Sequence, residues 1–323
     1  MNKKILYIHQ GSHPVHGAFA SVITSNYVNA GNTYFQMFLR LFNSIKDINY
    51  DIAFLEGGMC LPYAYIKKLF NPRMKIILLN ADNFFYILPR SNWIKFNIMI
   101  FFLSYVDNII AISAMNKIEA SKYFAGDIKV VNSFGVNNYF HNNPHLNSNK
   151  LLFIGSHRLD KRYDLLIKAV ELLNNEKFKF ELYLVGSCCD NIDVDFPWLH
   201  KEGFQKNIKY YFEKCSMYIH PSDFDPCPVT IFEAMSAGIL TLITKCTGQS
   251  DIFSKNNLGC LILEDNDPEI IAEKINEIYQ KPFSWKKKFP GNVLIPVKNT
   301  PKKIKLKNFQ QFLKKYVRII QIK

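Results

Sequence analysis

The sequence predicts an α/β protein with two doubly wound domains, each a parallel sheet flanked by helices. Short, continuous apolar runs alternate with longer stretches of helical periodicity, and this pattern restarts after residue 150. The chain has 323 residues, which suits two domains of roughly 150 residues each. We predict a first domain over residues 1–148, a second over 149–290, and a basic tail over 291–323.

In the first domain, strands are predicted at short apolar runs, and helices where apolar residues recur every three or four positions. The predicted strands cover residues 4–9, 51–55, 74–80, 108–112 and 127–131. The predicted helices cover residues 32–45, 62–70, 92–104 and 115–124. Continuous apolar strands are typical of a sheet buried on both faces. The polar stretch 141–150 is predicted to link the domains.

The strands and helices of the second domain are predicted from the same apolar patterns. The predicted strands cover residues 151–155, 181–186, 199–204, 217–220, 239–244 and 261–263. The predicted helices cover residues 161–173, 206–214 and 229–237, and one more that Asp267 caps and that ends at Tyr279. A last helix is predicted in the tail, where the apolar residues from Phe309 to Ile320 share one face.

The distribution of charge separates the tail from the body. The formal net charge is +13, and all of this excess lies after Glu277, where no acidic residue follows. A basic tail on a neutral body favours an anionic membrane surface as partner. The simpler alternative is a solubilising tail without a partner. A nucleic-acid binder is disfavoured, because the body is neutral and the tail lacks an interleaved aromatic platform on which bases could stack.

Composition also restricts the class of protein. No apolar run approaches the ~20 residues of a membrane helix, and the N-terminus lacks a signal-peptide pattern. The seven cysteines are scattered without paired spacing, which fits a reducing compartment and argues against a structural zinc site. We therefore predict a cytoplasmic protein, with the tail on the inner membrane face.

The segment SDFDPCPVTIFEAMSAG, residues 222–238, carries the clearest chemistry. A helix that begins near Pro228 would point the amides of Val229 and Thr230 at an anion. Asp225 precedes this helix and Glu233 lies one turn inside it, so their carboxylates could accept hydrogen bonds from sugar or ribose hydroxyls. The simpler alternative is an acid placed only to complement the helix dipole.

This segment resembles retaining, family-4-type glycosyltransferases of the GT-B fold, which have two Rossmann-like domains with a cleft between them. The resemblance also implies that the last helix of the tail crosses back and packs its apolar face on the first domain. The matching positions are an acid, seven residues, and then Glu-Ala-Met-x-x-Gly after a Pro-Ser strand end. The resemblance implies that Asp225 contacts the transferred sugar and that Glu233 contacts the nucleotide ribose. The family usually has Glu at the first position, so Asp225 is one methylene shorter.

A second segment, FIGSHRLDKRYDLLIKAVELL, resembles the phosphate-binding region of the same family. The resemblance implies that Lys161 pairs with the donor diphosphate. The family's arginine position is Ser156 here, and Arg158 is a candidate for the missing charge. Without the first motif, Lys161 and Arg158 would be interpreted as two solvated residues before a helix. Gly186 and Phe204 match weaker donor-side positions.

The first domain departs from the family pattern. The stretch LLNADNFF places Asn80, Ala81 and Asp82 where the family often has a histidine, so Asp82 either faces the acceptor or caps a loop. The loop after the first strand offers His16 and Gly17 as acceptor-side candidates. His9, His13 and His16 could share a metal only on a helix, which the neighbouring glycines and proline disfavour, and no metal site is predicted.

The resemblance implies a retaining, metal-independent glycosyltransferase without a cofactor. The donor would be a nucleotide diphosphate sugar, and the acceptor a lipid-linked molecule or a polysaccharide. Catalytic roles are predicted for Asp225 and Lys161. The alternative is a binding or regulatory protein that kept the GT-B fold and lost turnover, which the altered positions Ser156, Asn80 and Asp225 motivate.

Overall fold

The computed structural model describes residues 4–10, 20, 23–24, 26–31, 35–36, 39–40, 49–131, 145–176 and 180–288. The chain divides into two compact units, and each has its own six-stranded sheet. Two doubly wound α/β domains are therefore confirmed. The domain boundaries stay a prediction, and the tail with its predicted last helix lies outside the described residues.

The first sheet is parallel throughout and has the strand order β2-β1-β3-β4-β5-β6. All five predicted strands are present. Strand β2 was not predicted, because three residues at the edge of a sheet form no apolar run. The strands are β1 Ile5–His9, β2 Tyr27–Asn29, β3 Ile52–Glu56, β4 Lys75–Asn80, β5 Asn108–Ala111 and β6 Asp127–Val130.

Four described helices connect these strands. They are α1 Leu61–Phe70, α2 Phe84–Ile87, α3 Trp93–Leu103 and α4 Ala114–Ser121. The side chain of Asn92 caps α3 by accepting from the amide of Lys95 at 2.8 Å, and Ser113 caps α4 in the same way. Three of the predicted helices are thus confirmed, while the helix predicted over 32–45 lies largely outside the described residues.

The second sheet is also parallel, with the order β12-β11-β10-β7-β8-β9. Every predicted strand of this domain is present. The strands are β7 Lys150–Ile154, β8 Glu181–Val185, β9 Leu199–Gly203, β10 Met217–His220, β11 Leu240–Thr244 and β12 Ile262–Leu263. Most of their side chains are buried, as expected for strands covered on both faces.

All four helices predicted in the second unit are present, although two begin later than predicted, and two short helices, Ser250–Lys255 and Phe283–Lys286, were not predicted. The helix predicted from residue 161 begins at Tyr163, because Leu159–Lys161 form a separate 3-10 turn and Arg162 has a left-handed φ of 49°. Lys161 therefore lies in the preceding loop. The helices are α5 Tyr163–Glu176, α6 Lys209–Lys214, α7 Val229–Ala237, α8 Ser250–Lys255, α9 Pro268–Gln280 and α10 Phe283–Lys286.

The strand order fixes where a ligand can bind in the second unit. The chain runs from β7 outward to β9 and then returns to β10, which lies on the other side of β7. In open α/β sheets, ligands bind outside the carboxyl ends of the strands at such a reversal. The loops after β7 and β10 hold the residues that the sequence singled out. Within the described part of the chain, no helix is long and apolar enough to cross a bilayer.

Candidate functional site

The loops after β7 and β10 bring Lys161 and Asp225 into direct contact, although they are 64 positions apart in sequence. The ammonium of Lys161 forms an ion pair with Oδ2 of Asp225, and both side chains are largely buried, with 12% and 7% of their surface exposed. The backbone of Asp225 is held as well, because it pairs with the chain around Thr247. The interpretation of Lys161 as a solvated lysine is therefore wrong.

A series of hydrogen bonds that includes His220 holds the carboxylate of Asp225 in place. His220 ends β10, and its Nε2 lies 3.0 Å from Oδ2 of Asp225 and 2.8 Å from Oγ of Ser222. Its Nδ1 lies 3.0 Å from the hydroxyl of Tyr218, which lies 2.7 Å from Oγ1 of Thr230. The network thus joins Lys161 to the first turn of α7.

The charges in this network follow from burial. Burial opposes ionisation of Asp225, but the charge of Lys161 and the hydrogen bond with His220 outweigh it and hold the pKa of the carboxyl well below its usual range. Burial also lowers the pKa of His220, so its imidazole is neutral at pH 7. Because the carboxylate of Asp225 can only accept, we assign the proton of His220 to Nε2 and an acceptor role to Nδ1.

The neutral state of His220 predicts a pH dependence of stability. Below about pH 6.5, the histidine of the unfolded chain binds a proton that the folded protein excludes, so the free energy of unfolding falls with falling pH. We expect a loss of up to about 1.4 kcal/mol per pH unit until the folded histidine also titrates. Urea unfolding between pH 7.5 and 5.0 would measure this slope, and His220→Gln should flatten it. The exposed His157 provides the control, since His157→Gln should keep the wild-type slope; equal slopes in all three proteins would contradict the assignment.

Helix α7 presents its N-terminus beside this network. Its first residues are Val229 and Thr230, and Pro228 precedes them as the N-cap. The first amides of a helix have no acceptor within the helix and favour an anion. The side-chain amide of Gln249 donates to the carbonyl of Pro228 at 3.1 Å and fixes the start of α7. Glu233 lies one turn inside and is 5% exposed.

Three glycines bring the carboxyl ends of β7, β8 and β9 together. The amide of Gly186 donates to the carbonyl of Gly203 at 2.7 Å, and Gly186 has a φ of 109°. A Cβ at Gly186 would lie 2.2 Å from the carbonyl oxygen of Gly155. Only glycine fits at this position, which lets the backbone after β8 lie close to the backbone after β7, where Ser156 follows. Beyond Gly203, the ring of Phe204 is 81% exposed.

The candidate cations beside Lys161 already have acidic partners. The guanidinium of Arg158 pairs with Asp160, and Arg162 contacts both carboxylate oxygens of Asp223 at 3.1 and 3.2 Å. Both acids of the Asp-Phe-Asp stretch are thus paired with cations. In the described part of the chain, no group of three or more His, Cys, Asp or Glu side chains could hold a metal ion.

In the first unit, the carboxylate of Asp82 caps its loop. Its carboxylate accepts from the amides of Gly58 at 3.2 Å and Phe84 at 3.1 Å. Asn116 holds the same loop by donating to the carbonyl of Asn80 at 3.0 Å. His16 and Gly17, the other acceptor-side candidates, lie outside the described residues.

Sequence reasoning did not select His220, Tyr218 or Gln249, and it assigned no role to Ser222 in the motif. The sequence does contain a signal for Tyr218 and His220, because they are two positions apart on a buried strand and so share one face. Two polar side chains on a buried face need partners. The partners themselves come from other segments and could not be identified in the sequence.

Residues 148–281 match the family model described as glycosyl transferases group 1. All of the matched residues lie in the second unit. The match covers both loops of the site, from Ser156 to Lys161 and from Ser222 to Glu233. No curated protein matches the chain.

Solved structures of similar fold cover the whole chain. Anabaena HepE (Alr3699), in complex with UDP-glucose, is 14% identical with a TM-score of 0.73, over 97% of this chain and 100% of HepE. Sucrose-phosphate synthase from Thermosynechococcus elongatus is 13% identical with a TM-score of 0.73, over 100% of both chains. The lipopolysaccharide outer core galactosyltransferase WaaB is 15% identical with a TM-score of 0.66, over 96% of this chain and 99% of WaaB. The group 1 domain is thus the second half of a GT-B fold, as predicted.

Proposed function

We propose that this group 1 glycosyltransferase takes a sugar from a nucleotide diphosphate sugar bound at the carboxyl edge of the second sheet. The observation that supports this most strongly is the buried Lys161–Asp225 pair beside the N-terminus of α7. Lys161 and the first amides of α7 can bind a diphosphate, and the carboxylate of Asp225 can accept hydrogen bonds from hydroxyl groups. HepE, which shares the fold, has been solved with UDP and with UDP-glucose.

In this proposal, Lys161 changes partner when the donor binds. A diphosphate carries more negative charge than one carboxylate, so Lys161 would contact the phosphates together with the amides of Val229 and Thr230. Asp225 would then accept a hydrogen bond from a sugar hydroxyl, while His220 keeps its carboxylate in place. Glu233 would accept from the ribose. The surrounding donor-side candidates are Ser156, Arg158, Gly186 and Phe204.

The proposed reaction is a retaining transfer without a metal or cofactor. The bond from the anomeric carbon to the phosphate oxygen breaks, and its electron pair leaves with the nucleoside diphosphate. The acceptor oxygen forms the new bond on the same face of the sugar, and its proton passes to the departing phosphate oxygen. The chain's part is to orient the donor and stabilise the leaving charge, with Lys161 as the main contributor.

We propose that the first unit binds the acceptor, a lipid-linked molecule or a polysaccharide, through residues that include His16, Gly17 and Asp82. Since Asp82 caps its loop through two backbone amides, its role would be to position that loop. The Lys-rich tail would hold the protein at the cytoplasmic membrane surface, where a lipid-linked acceptor lies.

A catalytically inactive binding protein is the second candidate. One observation favours it: Lys161 and Asp225 neutralise each other, and Arg158 and Arg162 are also paired with acids. If these pairs persist with donor present, the protein could bind a nucleotide sugar without stabilising its leaving group.

The test combines binding and turnover. A thermal-shift series with UDP, GDP and their sugars should show a rise in melting temperature with one nucleotide, because a ligand that binds only the folded state stabilises it. Release of free nucleoside diphosphate from that donor, measured with and without candidate acceptors, separates the two functions. Stabilisation without release supports the binding protein, and no stabilisation by any nucleotide contradicts a donor site at this edge.

Glu233 provides a sharper test of the donor site. Glu233→Gln keeps the shape of the side chain and removes its charge, so we expect donor binding to weaken by about 1.5–3 kcal/mol, the range for a hydrogen bond to a charged group. Isothermal titration with the stabilising nucleotide measures this loss. Glu273→Gln on the exposed side of α9 is the matched control and should bind like wild type. Unchanged affinity in Glu233→Gln would remove Glu233 from the site.

A further inference from the structure

Helix α3 of the first unit is apolar on its outer side as well as on its buried side. Met99 and Leu103 face the core, with 7% and 2% of their surface exposed. On the opposite side, Trp93 is 78% exposed, and Ile94, Ile98 and Phe101 are 63%, 46% and 49% exposed. A surface helix normally carries mostly polar residues on that side, whereas here the exposed Asn97 is accompanied by four apolar side chains. Packing among the described residues of the first unit does not account for these four side chains.

The exposed side chains continue onto the neighbouring helix α1. The ring of Tyr65 lies 5.6 Å from that of Phe101, and Leu69, one turn further along α1, is 57% exposed. We call this set the apolar face, which comprises Tyr65, Leu69, Trp93, Ile94, Ile98 and Phe101. Continuous apolar patches of this kind mark interaction surfaces.

The two helices that form the apolar face carry basic residues but no acidic ones. Residues 57–75 and 83–106, which include both helices, contain no aspartate or glutamate but do contain lysines and arginines. Arg90 and Lys95 flank Trp93, and the guanidinium of Arg90 lies over the ring of Tyr86 at 4.0 Å. Asp107, the next acid along the chain, is paired with Lys68 at 2.8 Å. The face therefore complements an anionic surface.

We propose that the apolar face binds an anionic lipid bilayer, with Trp93 and the isoleucines of α3 inserted at the level of the headgroups. Tryptophan is enriched at this level because its ring is apolar and its N–H is polar. Helix α3 has 11 residues and is about 16 Å long, too short to span a bilayer of ~30 Å, so it lies on the surface. This inference does not depend on the proposed function, since it requires neither donor nor turnover.

The first experiment reads the position of Trp93 directly. The chain has three tryptophans; Trp198 stacks on Phe196 at 4.7 Å and Trp285 packs on the core of the second unit. With vesicles of phosphatidylglycerol and brominated phosphatidylcholine, we expect quenching of the tryptophan emission that disappears in Trp93→Phe, although that variant still binds. Binding of wild type without quenching would mean that the tail alone attaches the protein, and would overturn the proposal.

The second experiment measures affinity for the same vesicles in 0.5 M salt, which screens the charges of the tail. Ile94→Ser/Ile98→Ser should bind at least about tenfold more weakly than wild type, because two apolar side chains lose their burial in the bilayer. Val194→Ser is the matched control, since Val194 is 45% exposed in the second unit, and it should bind like wild type. Circular dichroism melts check that all variants are folded.

Sedimentation velocity without vesicles tests the alternative that the apolar face binds a second copy of the chain. If the double isoleucine variant converts a dimer to a monomer while its vesicle binding stays at the wild-type level, the apolar face joins two copies of the chain and the bilayer proposal is wrong. A monomer in both proteins, combined with weaker vesicle binding of the variant, supports the bilayer.

Discussion

Lys161→Ala is expected to slow sugar transfer by roughly 10²–10³-fold, the loss typical of removing one group that stabilises charge in a transition state. The same substitution should lower the free energy of unfolding by about 3–5 kcal/mol, because it leaves the buried carboxylate of Asp225 without its cation. Steady-state kinetics at saturating donor and urea unfolding measure the two effects separately.

A double variant distinguishes the structural effect from the catalytic one. Lys161→Ala/Asp225→Ala removes both charges, so it should regain most of the lost stability while its turnover stays low. Lys168→Ala, on the exposed side of α5, is the control and should match wild type in both measurements. If Lys161→Ala turned over normally, Lys161 would have only a structural role and the leaving group would be stabilised elsewhere.

Gly186→Ala is expected to destabilise the second unit by about 2–6 kcal/mol. The estimate combines a strained backbone conformation, about 1–3 kcal/mol, with overpacking of similar size. The clash is with backbone, because the new Cβ would lie 2.2 Å from the carbonyl oxygen of Gly155, and two strands would have to separate. Urea unfolding measures the loss, and donor titration shows whether the edge of the sheet has moved.

Gly203→Ala is the matched control for this substitution. Gly203 also has a positive φ, 62°, but no described atom lies within 4 Å of the position that its Cβ would take. Only the backbone cost of about 1–2 kcal/mol should remain. Equal losses at the two glycines would show that φ alone, and not the close approach of β7 and β8, requires Gly186.

The main elements of the fold were predictable because they depend on local patterns. Buried parallel strands are short apolar runs, and the helices repeat apolar residues every three or four positions, so each unit could be assembled from its sequence. The misses are elements without such a pattern, such as the three-residue edge strand β2 and the short helix α8. The start of α5 was also misplaced, since a separate 3-10 turn and a left-handed φ of 49° at Arg162 precede the helix.

The candidate site was predictable in its residues but not in its contacts. Asp225, Glu233 and Lys161 stand out because their positions relative to a strand end and a helix start resemble a known pattern. Their pairing could not be deduced, because Lys161 and Asp225 are 64 positions apart and are brought together only by the return of the chain from β9 to β10.

By itself, the sequence determined two α/β domains, a helix that starts shortly after Asp225, and a C-terminal segment from residue 278 that carries the net positive charge. These properties depend on residue type and short-range spacing. Only the tertiary structure decided that Lys161 is buried against Asp225, that His220 is neutral beneath them, and that α3 exposes an apolar face. The physical reason is that burial and electrostatic pairing depend on which segments lie close together in the fold, and the strand order determines which segments do.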